Sequence, residues 1–333
     1  MRQALICVVL AAAASTALVP FARAQAREAP REIARDVVLV PGSFTPGRQP
    51  DGNSVLFVGA HGALAVDSGR HIEHTQALLG AATARQAPLR ALLNTHWHLD
   101  HLGGNLLIRQ RLPDVQVLAS TAVGDALRGW LADSRRDMQA LLDGGRADAA
   151  TQAMLRIDLA LIDGGSKLLP DQVIVMPRQI DVIGRPLSVG VARYAVTAAD
   201  LWVFDPASRV LAAGDLVTFP VPFFDTACGD GWKEALALLE AQPFETLVPG
   251  HGVPLSRAEF QRWRGAFDNL LRCAAGSQET AACSAAWIAD LGPLLPAAEH
   301  ARARGMLGYY LQQHLRADGA KRHRFCPAPL APR

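Results

Sequence analysis

The chain is expected to fold as an α/β domain with a helical insert and a C-terminal helical extension. Three observations predict this. Short apolar runs bounded by Gly, Pro and Asp alternate with longer stretches of helical period. Residues 121–167, rich in Ala, Leu, Asp and Arg, interrupt that alternation with helical period alone. From residue 256 onward the pattern is mostly helical.

The elements follow in order. Residues 36–40, 54–58 and 63–66 are apolar, rich in valine in places, and separated by turn-forming residues. They read as strands of an antiparallel or mixed sheet. A helix over 71–85 precedes a strand over 89–94. A helix capped by Asn105 runs to about Arg111, and 115–119 is the next strand. The stretch 121–167 reads as two or three helices that either wall a pocket or add packing. Strands resume at 179–182, 187–191, 201–204 and 210–213, with a helix over 231–241 and a strand over 246–248. Helices are expected over 257–274, 285–291 and 297–315, and an irregular tail from Cys326.

Arg2, the alanine-rich apolar residues 4–19 and the small-x-small triplet Ala22-Arg23-Ala24 fit a secretory signal peptide over 1–24. A retained membrane anchor is the alternative. Removing 1–24 takes away Arg2 and Arg23 and no acid, so the formal charge of +2 falls to zero. A neutral mature chain offers nothing to nucleic acid or an anionic membrane. The expected partner is a small-molecule substrate, and no integral membrane association is expected after signal cleavage. The expected division is 25–265 for the α/β domain and 266–333 for the extension. An exported chain, periplasmic or secreted, favours disulfides among Cys228, Cys273, Cys283 and Cys326. The short spacing of Cys273 and Cys283 favours that pair, and Cys228–Cys326 follows by elimination.

His96, Trp97, His98, Leu99, Asp100 and His101 place four potential metal ligands within six positions, directly after the 89–94 strand. In extended backbone, residues two apart point to one side, so His96 and His98 can share a target. Asp100 and His101 then face a neighbouring point as the chain turns through Gly103 and Gly104. Imidazole and carboxylate form the ligand set of a zinc site with an open position for water. Asp215 follows a buried strand behind Gly214, and His251 stands between Gly250 and Gly252 after another strand. Both are placed to join the same site.

These residues resemble the metallo-β-lactamase superfamily of zinc hydrolases over roughly residues 36–260. The resemblance rests on Thr95 through Asn105, then Ala213-Gly214-Asp215, then Pro249-Gly250-His251-Gly252, in the superfamily's order. It implies a four-layer αββα sandwich with the metal site at one edge of the two sheets. It also implies that His96 and His98 bind a first zinc, that Asp100, His101 and His251 bind a second, and that Asp215 bridges them. One position departs from the pattern. The superfamily usually has another histidine followed by Thr and, a few residues on, Asp. Thr197 and Asp200 fit, but the histidine position holds Val196. Three arrangements remain: a weakened two-metal site, a single zinc at Asp100, His101, Asp215 and His251, or Tyr194 entering as a ligand.

With the signal peptide, the resemblance points to an exported zinc hydrolase that uses metal-activated water on a small-molecule ester, thioester, lactone or amide. Asp100 would hold the nucleophile as well as ligate, and Thr95 and Asn105 would orient the histidines. The aspartate at 215 resembles the thioesterase and lactonase branches more than the antibiotic-degrading ones. A β-lactamase is one alternative. A metal- or ligand-binding protein of this fold with reduced or lost turnover is another. The aromatic stretch 219–224, and Phe223 within it, is expected to line the pocket with Trp97 and Trp232. His61, His71, His74, His300, His314 and His323 are read as surface residues or caps.

Overall fold

The computed structural model describes residues 28–45, 47–319 and 324–327. The expected signal peptide lies outside the described residues, as does His323. In the first half the elements run β1 (Arg31–Ala34), β2 (Val37–Val40), β3 (Ser54–Gly59), β4 (Gly62–Val66), α1 (Ile72–Ala84), β5 (Leu89–Leu93), α2 (Leu99–Leu102), α3 (Asn105–Arg111) and β6 (Gln116–Ala119). The insert supplies α4 (Ala122–Arg128), α5 (Trp130–Asp143) and α6 (Ala149–Ile162) before β7 (Gln172–Val173). The second half runs β8 (Arg178–Ile180), β9 (Leu187–Arg193), β10 (Ala199–Asp205), β11 (Val210–Gly214), α7 (Gly229–Glu240), β12 (Thr246–Pro249), β13 (Leu255–Ser256), α8 (Arg257–Ala275), α9 (Thr280–Leu291) and α10 (His300–Tyr310).

Two sheets form, one of seven strands in the order β1 to β7 and one of six in the order β13 to β8. Period-two alternation in the central strands explains how the sheets stack. Val210 and Ala212 of β11 face the other sheet, whereas Leu211 and Ala213 face helices. In β10, Leu201 and Val203 likewise point between the sheets, and Trp202 and Phe204 point away. Both faces are covered, so these strands are apolar throughout. Leu78 of α1 and Ile108 of α3 cover the first sheet against Leu56 and Leu92. Trp232 of α7, Trp263 and Phe267 of α8, Trp287 of α9 and Leu307 of α10 cover the second. The result is the four-layer αββα sandwich, with a C-terminal helical extension.

The extension shares the core of the second sheet, and α8 crosses residues 265 and 266 without a break. The N-terminus of α8 is fixed by a capping box between Ser256 and Glu259. The disulfides are Cys273–Cys283, which joins α8 to α9, and Cys228–Cys326, which ties the tail to the start of α7. Among the described residues no helix is long and apolar enough to cross a membrane. The insert packs Leu131, Met138, Leu155 and Leu159 against Trp97 and Leu102, beside the histidine motif.

Candidate metal centre

Parallel pairing sets where the site forms. β4 pairs with β5, and β11 with β12, each in parallel, so the chain leaves the C-terminal end of each strand at one edge. Asp67 follows β4, Thr95 and His96 follow β5, Asp215 follows β11 and His251 follows β12. The redirection after His98 is a four-residue helix, α2, which carries Asp100 and His101. Close approach explains the glycine beside His251: a Cβ at Gly250 would lie 1.9 Å from Asp215 Oδ1.

All six predicted ligands converge, in two groups. His96, His98 and Asp215 form one, and Asp100, His101 and His251 the other, with ligand atoms in each within 4.8 Å of one another. Asp215 joins the groups. Its Oδ2 lies 3.8 Å from His96 Nε2, and its Oδ1 lies 3.4 Å from His101 Nε2 and 3.6 Å from His251 Nε2. Asp100 Oδ2 is 3.1 Å from His251 Nε2, while its Oδ1 faces Arg70 at 3.6 Å. His96 Nε2, His101 Nε2, His251 Nε2 and both Asp215 oxygens are buried and make no hydrogen bond. Several unpaired His and Asp atoms converging on one space fit a bound cation.

Hydrogen bonds from behind fix which nitrogen each ring presents. The Thr95 hydroxyl donates to Asp67 Oδ2 at 2.8 Å, so it accepts from His96 Nδ1–H at 2.9 Å. The Thr226 hydroxyl donates to the Val196 carbonyl at 2.9 Å, so it accepts from His98 Nε2–H at 3.0 Å. His101 donates from Nδ1 to Asp67 Oδ2 at 2.8 Å. The lone pairs left over are His96 Nε2, His98 Nδ1 and His101 Nε2. An ion needs such pre-set tautomers.

Charge points the same way. Burial, with His101 and His98 nearby, holds the His96 pKa well below its ordinary value, and burial also lowers that of His98, so both rings are neutral. Burial alone would lower the His101 pKa, but Asp215, Asp67 and Asp100 outweigh it and raise it well above its ordinary value, so these anions attract to Nε2 a proton that a bound metal ion would have to displace. Burial alone would raise Asp100 and Asp215, but His101 and His251 hold both below the usual carboxylate range. The centre is built of buried anions that demand a cation.

The model of the metallo-beta-lactamase superfamily matches residues 47–251, the span that holds the whole cluster. This chain belongs to that superfamily. Solved structures agree on the fold. A metallo-beta-lactamase from Pontibacter korlensis is 20% identical, with a TM-score of 0.54 over 72% of this chain and 98% of the other. The DIM-1 metallo-beta-lactamase is 16% identical, with a TM-score of 0.51 over 72% and 98%. TMB-1 is 15% identical, with a TM-score of 0.52 over 72% and 96%. No curated protein sequence matches the chain.

The superfamily frame makes Val196 instructive. It is fully buried among apolar side chains, and its carbonyl accepts from Thr226, whose hydroxyl holds His98. Tyr194 stands half exposed at the surface and belongs to neither group. Asn105 departs from its expected roles. It is the first residue of α3 rather than its cap, and its amide bonds Asn94 at 2.7 Å. It acts on the His101 backbone through Asn94 and Ser68, not on a histidine ring.

A cavity of about 390 Å³ opens beside His98, Asp100 and Asp215. Trp97 and Phe223 line it as expected, and the insert walls it through Trp130, Leu131 and Met138. Trp232 does not reach it. Its ring is buried in the core, with Nε1 donating to the Leu216 carbonyl at 2.9 Å. His71, read as a surface residue or cap, is the N-cap residue of α1, buried and bonded to Asp51 at 3.1 Å. Two others read so are placed differently: His74 is buried and bonded to Ser54 at 2.8 Å, and His314 lines the cavity. Sequence reasoning missed Asp67, Thr226 and Arg70. Asp67 carries the signal that revealed Asp215, an aspartate directly after a buried strand. Thr226 and Arg70 carry none.

Proposed function

We propose that this protein is an exported, zinc-dependent hydrolase acting on a small-molecule ester, thioester, lactone or amide. The observation that carries the reading is the set of buried, unpaired His and Asp atoms beneath an open cavity. His96, His98 and Asp215 would hold one ion, and Asp100, His101 and His251 with Asp215 a second. Neutral imidazole with carboxylate suits zinc, and the group that lacks a histidine is the weaker. The two disulfides support export.

Bound there, a divalent metal supplies Lewis-acid chemistry, lowering the pKa of water from ~16 to about 7 and polarising the oxygen under attack. The chain's own groups do the rest. Asp100 turns one oxygen to Arg70 and the other to the cluster, which fixes it to accept a hydrogen bond from the attacking water. Thr95, Thr226 and Asp67 hold the rings in the tautomers that ligation needs. Trp97 and Phe223 exclude water from the substrate side.

The test is a panel of esters, thioesters, lactones and amides, with a chromogenic cephalosporin included. We expect hydrolysis of an ester, thioester or lactone that chelator abolishes and zinc restores, with the cephalosporin turned over weakly. Efficient cephalosporin turnover would make a β-lactamase the better reading. Zinc-loaded protein inert to the whole panel would favour a binding protein.

A further inference from the structure

Two strings of aromatic rings run outward from the metal cluster and bound the same cavity. In the first, the Trp97 ring lies 4.6 Å from His98 and 6.4 Å from Trp130, and Trp130 lies 5.6 Å from Phe325. In the second, Phe223 lies 5.8 Å from His251 and 6.3 Å from Tyr310, and Tyr310 lies 5.8 Å from His314. Trp97, Trp130, Phe325, Phe223, Tyr310 and His314 all line the cavity. We propose that the space between these strings is a binding slot for a flat, apolar aromatic or conjugated group of the substrate, held beside the metal cluster.

Polar tips along the second string converge on Asp225, which also lines the cavity. The Tyr309 and Tyr310 hydroxyls donate to Asp225 at 3.2 and 3.0 Å, and His314 Nε2 lies 3.2 Å from the same carboxylate. The two strings offer the slot ring surface. Offset or edge-on ring contacts add about 0.5–1.5 kcal/mol beyond area burial, an advantage that a saturated group does not share. A cavity of about 390 Å³ suits one small molecule reaching from the cluster to the far wall.

The far ends of both strings come from outside the span that matches the superfamily. Tyr310, His314 and Phe325 all lie beyond residue 251. Phe325 is held in place by its neighbour Cys326, bonded to Cys228 at the start of α7. The Arg324 guanidinium stacks 5.5 Å over Trp130 and 5.2 Å over Phe325, which fastens the tail to the insert. The disulfide thus sets one wall of the slot.

Only the part of this slot in turnover rests on the hydrolase reading, so binding is measured first, on the full-length chain. The probes are 2-naphthol and decahydro-2-naphthol, which share a carbon skeleton but differ in flatness, titrated by calorimetry. The wild type is expected to bind 2-naphthol at least about tenfold more tightly than the saturated analogue. Phe325→Ala, and separately Cys228→Ser with Cys326→Ser, should each weaken 2-naphthol about tenfold, with metal content and far-UV circular dichroism unchanged. Failure to bind 2-naphthol, equal affinity for both probes, or unchanged affinity in both variants overturns the proposal. In turnover, Phe325→Ala should raise KM for 2-naphthyl acetate and leave kcat nearly unchanged. Binding as expected without hydrolysis of any ester, thioester, lactone or amide would leave the slot standing and remove the hydrolase reading.

Discussion

At position 196 a valine packs into the core, and its carbonyl holds Thr226, whose hydroxyl holds His98. One side chain thus separates a three-ligand group from the fuller set the superfamily usually carries. Val196→His is expected to raise the tightly bound metal from one to two per chain, measured by elemental analysis after dialysis. Two ions in both proteins would mean that another group already completes the first site. Asp67 binds Thr95 and His101 from behind, so Asp67→Ala should weaken metal binding about 10–100-fold, read by chelator competition. The ligands themselves were legible because four of them crowd into residues 96–101. Of their supports, Asp67 carries the same signal as Asp215, an aspartate directly after a buried strand, whereas Thr226 is a single polar residue whose meaning depends on partners remote in sequence.

Central strands were read well from the sequence because burial on both faces leaves them apolar throughout, and helices because one apolar face repeats at helical period. The strands it missed are edge strands. β1 is polar and half exposed, and β7 and β13 have two residues each, too few to show a period. Cys273–Cys283 was legible from its short spacing, and Cys228–Cys326 followed by elimination. The insert is more than packing, because Asp158 of α6 pairs with buried Arg70, which also faces Asp100. Asp158→Ala leaves that guanidinium short of a partner. We expect a loss of roughly 3 kcal/mol in denaturant unfolding, and a loss within experimental error would show that Asp100 alone satisfies Arg70.

Across the whole molecule, two sheets meet at one edge where parallel strands release Asp67, His96, Asp215 and His251 together. Deep burial behind that edge has a cost elsewhere. Burial pushes the Asp200 carboxyl up to about 7, against its hydrogen bonds from Thr197. Because the folded state favours the proton, Asp200 is harmless below the unfolded pKa, near 4, and increasingly destabilising as pH rises toward 7. Asp200→Asn should therefore gain stability over the wild type between pH 4 and 7 in chelator-treated protein, by a few kcal/mol at most. A constant difference across that range would contradict the assignment.

On the proposed reading, the tightly held ion belongs to Asp100, His101, His251 and Asp215. Metal content per chain after exhaustive dialysis tests it most directly, compared among wild type, His251→Ala and His98→Ala. One ion per chain is expected in the wild type and in His98→Ala, and none in His251→Ala. A wild type that retains no metal, or an ion kept by His251→Ala and lost by His98→Ala, would contradict it.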